Sequence, residues 1–219
     1  MKNLTKQFLS EADQDIIIAT VKEAEKTTAG EIVPMVVSSS YHYPLANIIG
    51  GMTFALPISV ILTHIVGKWF WMGSQNMWLF MAMLFLTFII SHEIIKRLPR
   101  LKRLFLSARE INEEVEEAAT TNFFKEGLHK TKDETGILIF ISVFEQKVWI
   151  LADQGINDND NEGTWDEIVK TIVDGIKLKQ QGRAISEAVK KVGHILKEHF
   201  PVQADDTDEL KNLILKDQP

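Results

Sequence analysis

Two apolar segments that carry no Asp, Glu, Lys or Arg restrict the fold of this chain more than any other feature. The first runs from Leu45 to Val66, about 22 residues, and crossing a bilayer takes about 20. The second runs from Met77 to Ser91, and its uncharged stretch extends back to Gly73 and on to His92. The linker Gly67–Asn76 holds Trp69 and Trp71, and Trp78 opens the second segment. These are places where interfacial tryptophans are expected. The pattern predicts a transmembrane hairpin with spans over about 45–66 and 74–94. Within the first span, Ala46, Gly50 (or Gly51), Ala55 and Ser59 form a stripe of small residues. Such stripes let two helices approach closely, and the second span is the expected partner. Pro57 is a potential kink.

Charge orients the hairpin. Lys96, Arg97, Arg100, Lys102 and Arg103 follow the second span, whereas the linker has only Lys68. The positive-inside rule therefore predicts residue 96 onward in the cytoplasm. With two spans, both termini lie there, in a multi-pass protein of the cell inner membrane. The basic run abuts a span and lacks interleaved aromatics, so it reads as a contact with anionic membrane lipid. The net charge of -6 argues against nucleic acid as a partner. The first residues, Met1–Phe8, have two lysines but no apolar stretch behind them. That is not the pattern of a cleavable signal, so targeting is expected to rest on the apolar segments. The chain has no cysteine, which rules out disulfides, thiolate metal sites and a cysteine nucleophile.

The flanking segments read as one α/β domain. Ser10 with Asp13 predicts a helix start, with Ile16, Ile17, Ala19, Val21 and Ala24 on one face. A strand is predicted over Glu31–Ser38, and Pro34 points to an edge position. Leu104, Ala108, Ile111, Val115, Ala118 and Asn122 predict an amphipathic helix. Its other face carries Glu110, Glu113, Glu114, Glu116 and Glu117, a solvated acidic surface. Gly136–Val143 is a continuous apolar run of the kind a central strand shows. After a turn at Phe144–Gln146, Lys147–Ala152 is predicted as a strand antiparallel to it. Helices are predicted over 164–178 and 183–199, and a short one around Leu210–Leu215. One helix and one strand in the first forty residues cannot enclose a core alone. The expected layout is therefore residues 1–44 and 95–200 as two pieces of one domain, a hairpin over 45–94 inserted between them, and an acidic tail over 201–219.

Two stretches carry a family resemblance. Phe8-Leu9-Ser10 and Ala24-Glu25-Lys26-Thr27-Thr28-Ala29-Gly30-Glu31-Ile32 resemble the opening of the TPM-domain family. Gly136–Ile141 and Val148–Ile156, with its Asp153-Gln154-Gly155 turn, are similar to that family's middle strands. The resemblance covers about residues 8–40 and 104–200. It implies a TPM-like α/β/α sandwich with a small mixed sheet. It also implies either weak acid-phosphatase activity with divalent-metal binding, or an auxiliary role for membrane protein complexes. In the commoner family layout a signal peptide exports the domain and a later span anchors it, whereas here the hairpin interrupts the domain.

The polar residues offer two groups of candidates. After the predicted third strand come Asp153, Asp158, Asp160, Asn161, Glu162 and Asp166. Asp158–Gly163 imitates the start of an EF-hand loop, but its twelfth position is Val169 where a bidentate glutamate is needed. Two readings stand: a solvated acidic loop with a helix cap near Thr164, or an oxygen-ligand site for calcium or magnesium formed by Asp153, Asp158 and Asp160. Glu31, within the family-like opening, and Asp133, ahead of the second strand, are the other candidates. A carboxylate-held metal whose water attacks a phosphate ester is chemically reasonable. His129 is read as a surface residue. His194 and His199 are five apart and do not share a face as zinc-binding pairs do. No P-loop, nucleophile elbow or dinucleotide loop is present. The functional expectation is a non-catalytic adaptor or maintenance factor for a membrane protein complex, with a metal-dependent acid phosphatase as the alternative.

Overall fold

The computed structural model describes residues 4–73, 75–131, 134–157, 164–202 and 210–217. In chain order these form α1 (Leu4–Phe8), α2 (Glu11–Glu25), β1 (Glu31–Val37), α3 (Pro44–Trp69), α4 (Met77–Arg97), α5 (Pro99–Arg103) and α6 (Ala108–Lys125). A single 3-10 turn (Leu128–Lys130) precedes β2 (Gly136–Ser142), β3 (Lys147–Ala152), α7 (Gln154–Asn157), α8 (Thr164–Lys177), α9 (Gln181–His199) and β4 (Ile214–Lys216). The chain divides into two compact units, one of Met1–Tyr41 with Asn112–Pro219 and one of His42–Ile111.

The first unit is built on a four-stranded mixed sheet of order β3-β2-β1-β4. β1 and β2 run parallel in full register from Glu31↔Gly136 to Val37↔Ser142, and β3 pairs antiparallel with β2. Every residue of β1 and β2 is buried, which explains why β2 reads as an unbroken apolar run. Ile32, Val36, Ile137, Ile139 and Ile141 form one core with Ile17 and Val21 of α2, Ile168 and Ile172 of α8, and Ile185, Val189, Val192 and Leu196 of α9. Each fully buried Leu or Ile contributes about 1.5–3 kcal/mol. The opposite face holds Val33, Met35, Leu138 and Phe140, and α6 brings Val115, Ala119 and Phe123 into burial. This is the expected α/β/α sandwich with a small mixed sheet. At α2 the predicted cap is present: Ser10 accepts from the Asp13 N–H (3.2 Å), and Asp13 accepts from the Ser10 N–H (3.1 Å).

Three readings are corrected. The tail segment ending at Leu215 is not a helix. Ile214–Lys216 adds β4 beside Met35–Val37 of β1, because the open edge of β1 offers backbone hydrogen bonds that an isolated turn of helix cannot match. β1 is consequently an interior strand. Pro34 is tolerated because β4 begins its pairing only at Met35, so the proline has a ladder neighbour on one side alone. The buried stripe of α6 also differs from the predicted one. Ile111 and Val115 are buried as expected, but the stripe continues through Ala119 and Phe123, while Leu104 and Ala108 are exposed and Ala118 is half-buried.

The second unit is the hairpin. α3 and α4 are both long and apolar enough to cross a membrane. The small residues of α3 are the buried ones: Ala46, Gly50, Gly51, Ala55, Ser59 and Gly67. In α4 they are Thr87 and Ser91, with Ile95 at the end. A Cβ on Gly51 would stand 3.2 Å from His92 Cα, so the helix backbones nearly touch there. Thr87 spends its hydroxyl on the Met83 carbonyl of its own helix (2.8 Å) and reaches the Ala55 carbonyl across the pair (3.3 Å). Trp69, Trp71 and Trp78 are exposed. Lys102 stands apart from the rest of the basic run read as a lipid contact. It is buried, its ammonium donates to the His42 carbonyl, and it stands 5.8 Å from the centre of the Tyr43 ring. It thereby ties α5 to the chain entering α3.

Candidate functional site

Two of the sequence candidates, Glu31 and Asp153, lie where β1 and β2 begin and β3 ends. Glu31 lies opposite Gly136 in the β1–β2 register. The Asp153 N–H donates to the Gly136 carbonyl at 2.9 Å. Glu31 and Asp153 therefore flank one glycine, about two strand spacings or ~10 Å apart along the sheet. Gly136 has no room for a side chain, since a Cβ would lie 2.3 Å from the Leu128 carbonyl oxygen. The Glu31 carboxylate is buried. Asp153 accepts from the Gln154 N–H through Oδ1 (2.9 Å), while its Oδ2 is buried without a hydrogen-bond partner among the described residues. His129 follows Leu128, and its ring packs on Phe124 at 5.0 Å. It is half-buried rather than a surface residue, and its Nδ1 has no described partner. Asp133, Asp158 and Asp160 lie outside the described residues. Among the described residues no three His, Cys, Asp or Glu side chains come together to hold a metal ion.

The residues that suggested the family have structural tasks. Glu25 accepts from the Ile32 N–H (3.0 Å), closing the start of β1. Thr28 donates to the Phe200 carbonyl (2.7 Å), and that carbonyl also accepts from the Ala29 N–H (3.0 Å). A Cβ on Gly30 would meet Leu196 Cδ1 at 2.7 Å. The motif thus fastens β1 to the end of α9.

At the other end of the parallel strands lies a site that sequence reasoning passed over. Glu145, read as a turn residue, is completely buried. Its carboxylate accepts from the Ser39 hydroxyl (3.2 Å), the Ser40 N–H (2.9 Å) and the Ser142 hydroxyl. Beside it is a cavity of about 420 Å³ lined by Ser39, Ser40, Tyr41, Glu117, Asn122 and Lys216, with Phe140 among its apolar residues. The carboxyl ends of parallel strands are where α/β sheets commonly hold ligands. The signal was the serine run Ser38-Ser39-Ser40 directly after an apolar strand, with Ser142 placed likewise at the end of β2.

The α/β/α arrangement has counterparts among known proteins. Residues 104–195 match the family model of the TPM domain. The TPM match begins just after α5, at Leu104, and ends within α9. The structure is also similar to the NMR structure of the BA42 protein from the psychrophilic bacterium Bizionia argentinensis. The TM-score is 0.58 at 20% identity, with 95% of each chain covered. At that identity the likeness shows the fold alone. No curated protein matches the chain.

Proposed function

We propose that this chain is a membrane-anchored adaptor, held in the cell inner membrane by the α3–α4 hairpin, with both termini and the TPM-bearing unit in the cytoplasm. There it binds and maintains a membrane protein complex. The observation that carries the reading is how the hairpin sorts its residues. Gly, Ala, Ser and Thr dominate the buried seam, while Leu45, Ile48, Ile61, Phe85 and Leu86 face outward. A pair of helices in water hides its large apolar side chains, whereas a pair in lipid packs through its small ones. The cytoplasmic orientation rests on Lys96, Arg97, Arg100 and Arg103 after α4, against Lys68 alone before α4. Detergent extraction at native expression, followed by pull-down on a C-terminal tag, is expected to return a membrane protein with the bait. Recovery of the bait alone would count against the adaptor.

A second reading is a weak acid phosphatase dependent on calcium or magnesium. The buried Asp153 Oδ2, without a hydrogen-bond partner among the described residues, favours it. This reading expects phosphomonoester hydrolysis with added metal that drops at least about tenfold in Asp153→Asn. Equal rates in wild type and variant would exclude Asp153 from such a reaction.

A further inference from the structure

We infer that the groove between α2 and α9 is the docking surface of this chain, and that its occupant is an amphipathic helix of a partner protein, apolar along one ridge and acidic beside it. The inference rests on the adaptor reading and gives it a place. α2 presents Ile16, Thr20 and Glu23 to the groove, with Thr27 in the turn just beyond, and α9 presents Lys190, His194 and Lys197. Both sets step by three or four residues, so each wall is one helix face. At the bottom the helices nearly touch, because a Cβ on Gly193 would lie 2.8 Å from Ala24 Cβ. The floor is therefore methyl groups and backbone. The resulting trough has a volume of about 650 Å³. Its α2 wall, from Ile16 to Ala24, extends for about two helical turns, ~12 Å. Ile16 stands in this wall 53% exposed, on a helix whose Ile17 and Val21 are completely buried and whose Ile18 is half-buried. Two ridged helix walls with an apolar floor fit the ridge of a third helix.

Charge selects the kind of helix. Lys190, His194 and Lys197 are exposed, and none has a hydrogen-bond or ion-pair partner among the described residues. Lys191, which points away from the groove, is by contrast paired with Glu167 of α8 (3.1 Å) and bonded to Thr171 (3.2 Å). The one carboxylate of the groove, Glu23, is paired with Lys26 at 2.7 Å, which holds its carboxyl below the usual range. A chain of net charge -6 thus keeps a positive rim around an apolar floor, and complementary potential favours carboxylates on the partner.

The test uses the full chain in detergent micelles. The probe is a fluorescent 18-residue helical peptide with leucines at every third or fourth position and glutamates beside them. One control peptide replaces each glutamate by lysine, and another scrambles the leucine positions. Binding is expected for the first peptide, with both controls at least about tenfold weaker. Lys190→Glu with Lys197→Glu, and separately Ile16→Asp, are expected to weaken it by a similar factor without moving the melting temperature. Equal binding of all three peptides, or unchanged binding by the variants, overturns the inference. So does a dimer of the wild type that the double lysine variant abolishes, since the occupant would then be a second copy. In native-level pull-downs, a partner retained equally by wild type and variants overturns the groove while the adaptor stands. Bait alone from both overturns the adaptor itself.

Discussion

Glu145→Ala is expected to cost the first unit about 3–5 kcal/mol, because it leaves several buried donors without their acceptor at once, each costing about 1–3 kcal/mol. The Ser40 N–H loses its partner at 2.9 Å, and the Ser39 and Ser142 hydroxyls lose the oxygens they reach. A hydroxyl can turn elsewhere, but the backbone N–H cannot. The damage also spreads. The loop that carries Glu145 is joined to β1 by Val143 N–H to the Val37 carbonyl and Phe144 N–H to the Ser38 carbonyl, both at 3.0 Å. Gln146 closes the loop at φ 53, in the left-handed region. Glu145 is thus the post that joins the exit of β1 to the β2–β3 turn. For a chain of this size each kcal/mol moves the melting temperature by about 2–4 °C, so a loss of roughly 10 °C is expected in thermal unfolding followed by tryptophan fluorescence. Glu145→Gln keeps the shape and one acceptor oxygen, and its loss should be less than half as large. A Glu145→Ala protein that melts like wild type would show that the carboxylate holds nothing together.

That post was invisible in the sequence for a physical reason. Its partners Ser39 and Ser40 lie 106 and 105 residues away, and their meeting depends on the parallel register of β1 and β2. Local pattern carries no such information. What it does carry was read well. The buried strand β2 shows as an apolar run, α2 shows through its capping box, and the hairpin shows through length and lack of charge. β4 was misread because three residues have no period, and what makes them a strand is the free edge of β1. The candidate carboxylates were only half legible. Glu31 and Asp153 do flank Gly136, yet the fold gives Glu31 a buried position at the start of an interior strand. The groove between α2 and α9 was also unread. Ile16 was assigned to the inward face with Ile17, and the structure separates the two.

Placing arginine at both Leu56 and Leu86 is expected to expel the hairpin from the membrane. Both leucines sit near the middles of α3 and α4, 45% and 51% exposed. If that exposure is to water, the exchange is a surface substitution worth within about 0.5 kcal/mol. If it is to hydrocarbon, each arginine costs about 2.5–3.5 kcal/mol on the insertion scale, and the pair about 5–7 kcal/mol. Few exchanges separate the two environments so widely. Leu45→Arg is the control: Leu45 is also exposed, but it lies in the first turn of α3, where a long side chain reaches the interface at small cost. Alkaline carbonate extraction of membranes reads the result. Wild type and Leu45→Arg are expected in the pellet, and the double variant in the supernatant or lost to proteolysis. A double variant that pellets like wild type would mean that these faces do not meet lipid. The exposed leucines and the buried glycines would then need another explanation, such as a further protein covering the hairpin. The test therefore bears on the seam as well as the surface. Close backbone approach at Gly51, where an added Cβ would stand 3.2 Å from His92 Cα, favours helix pairing only where large side chains gain nothing by turning inward, and the double variant measures whether that condition holds.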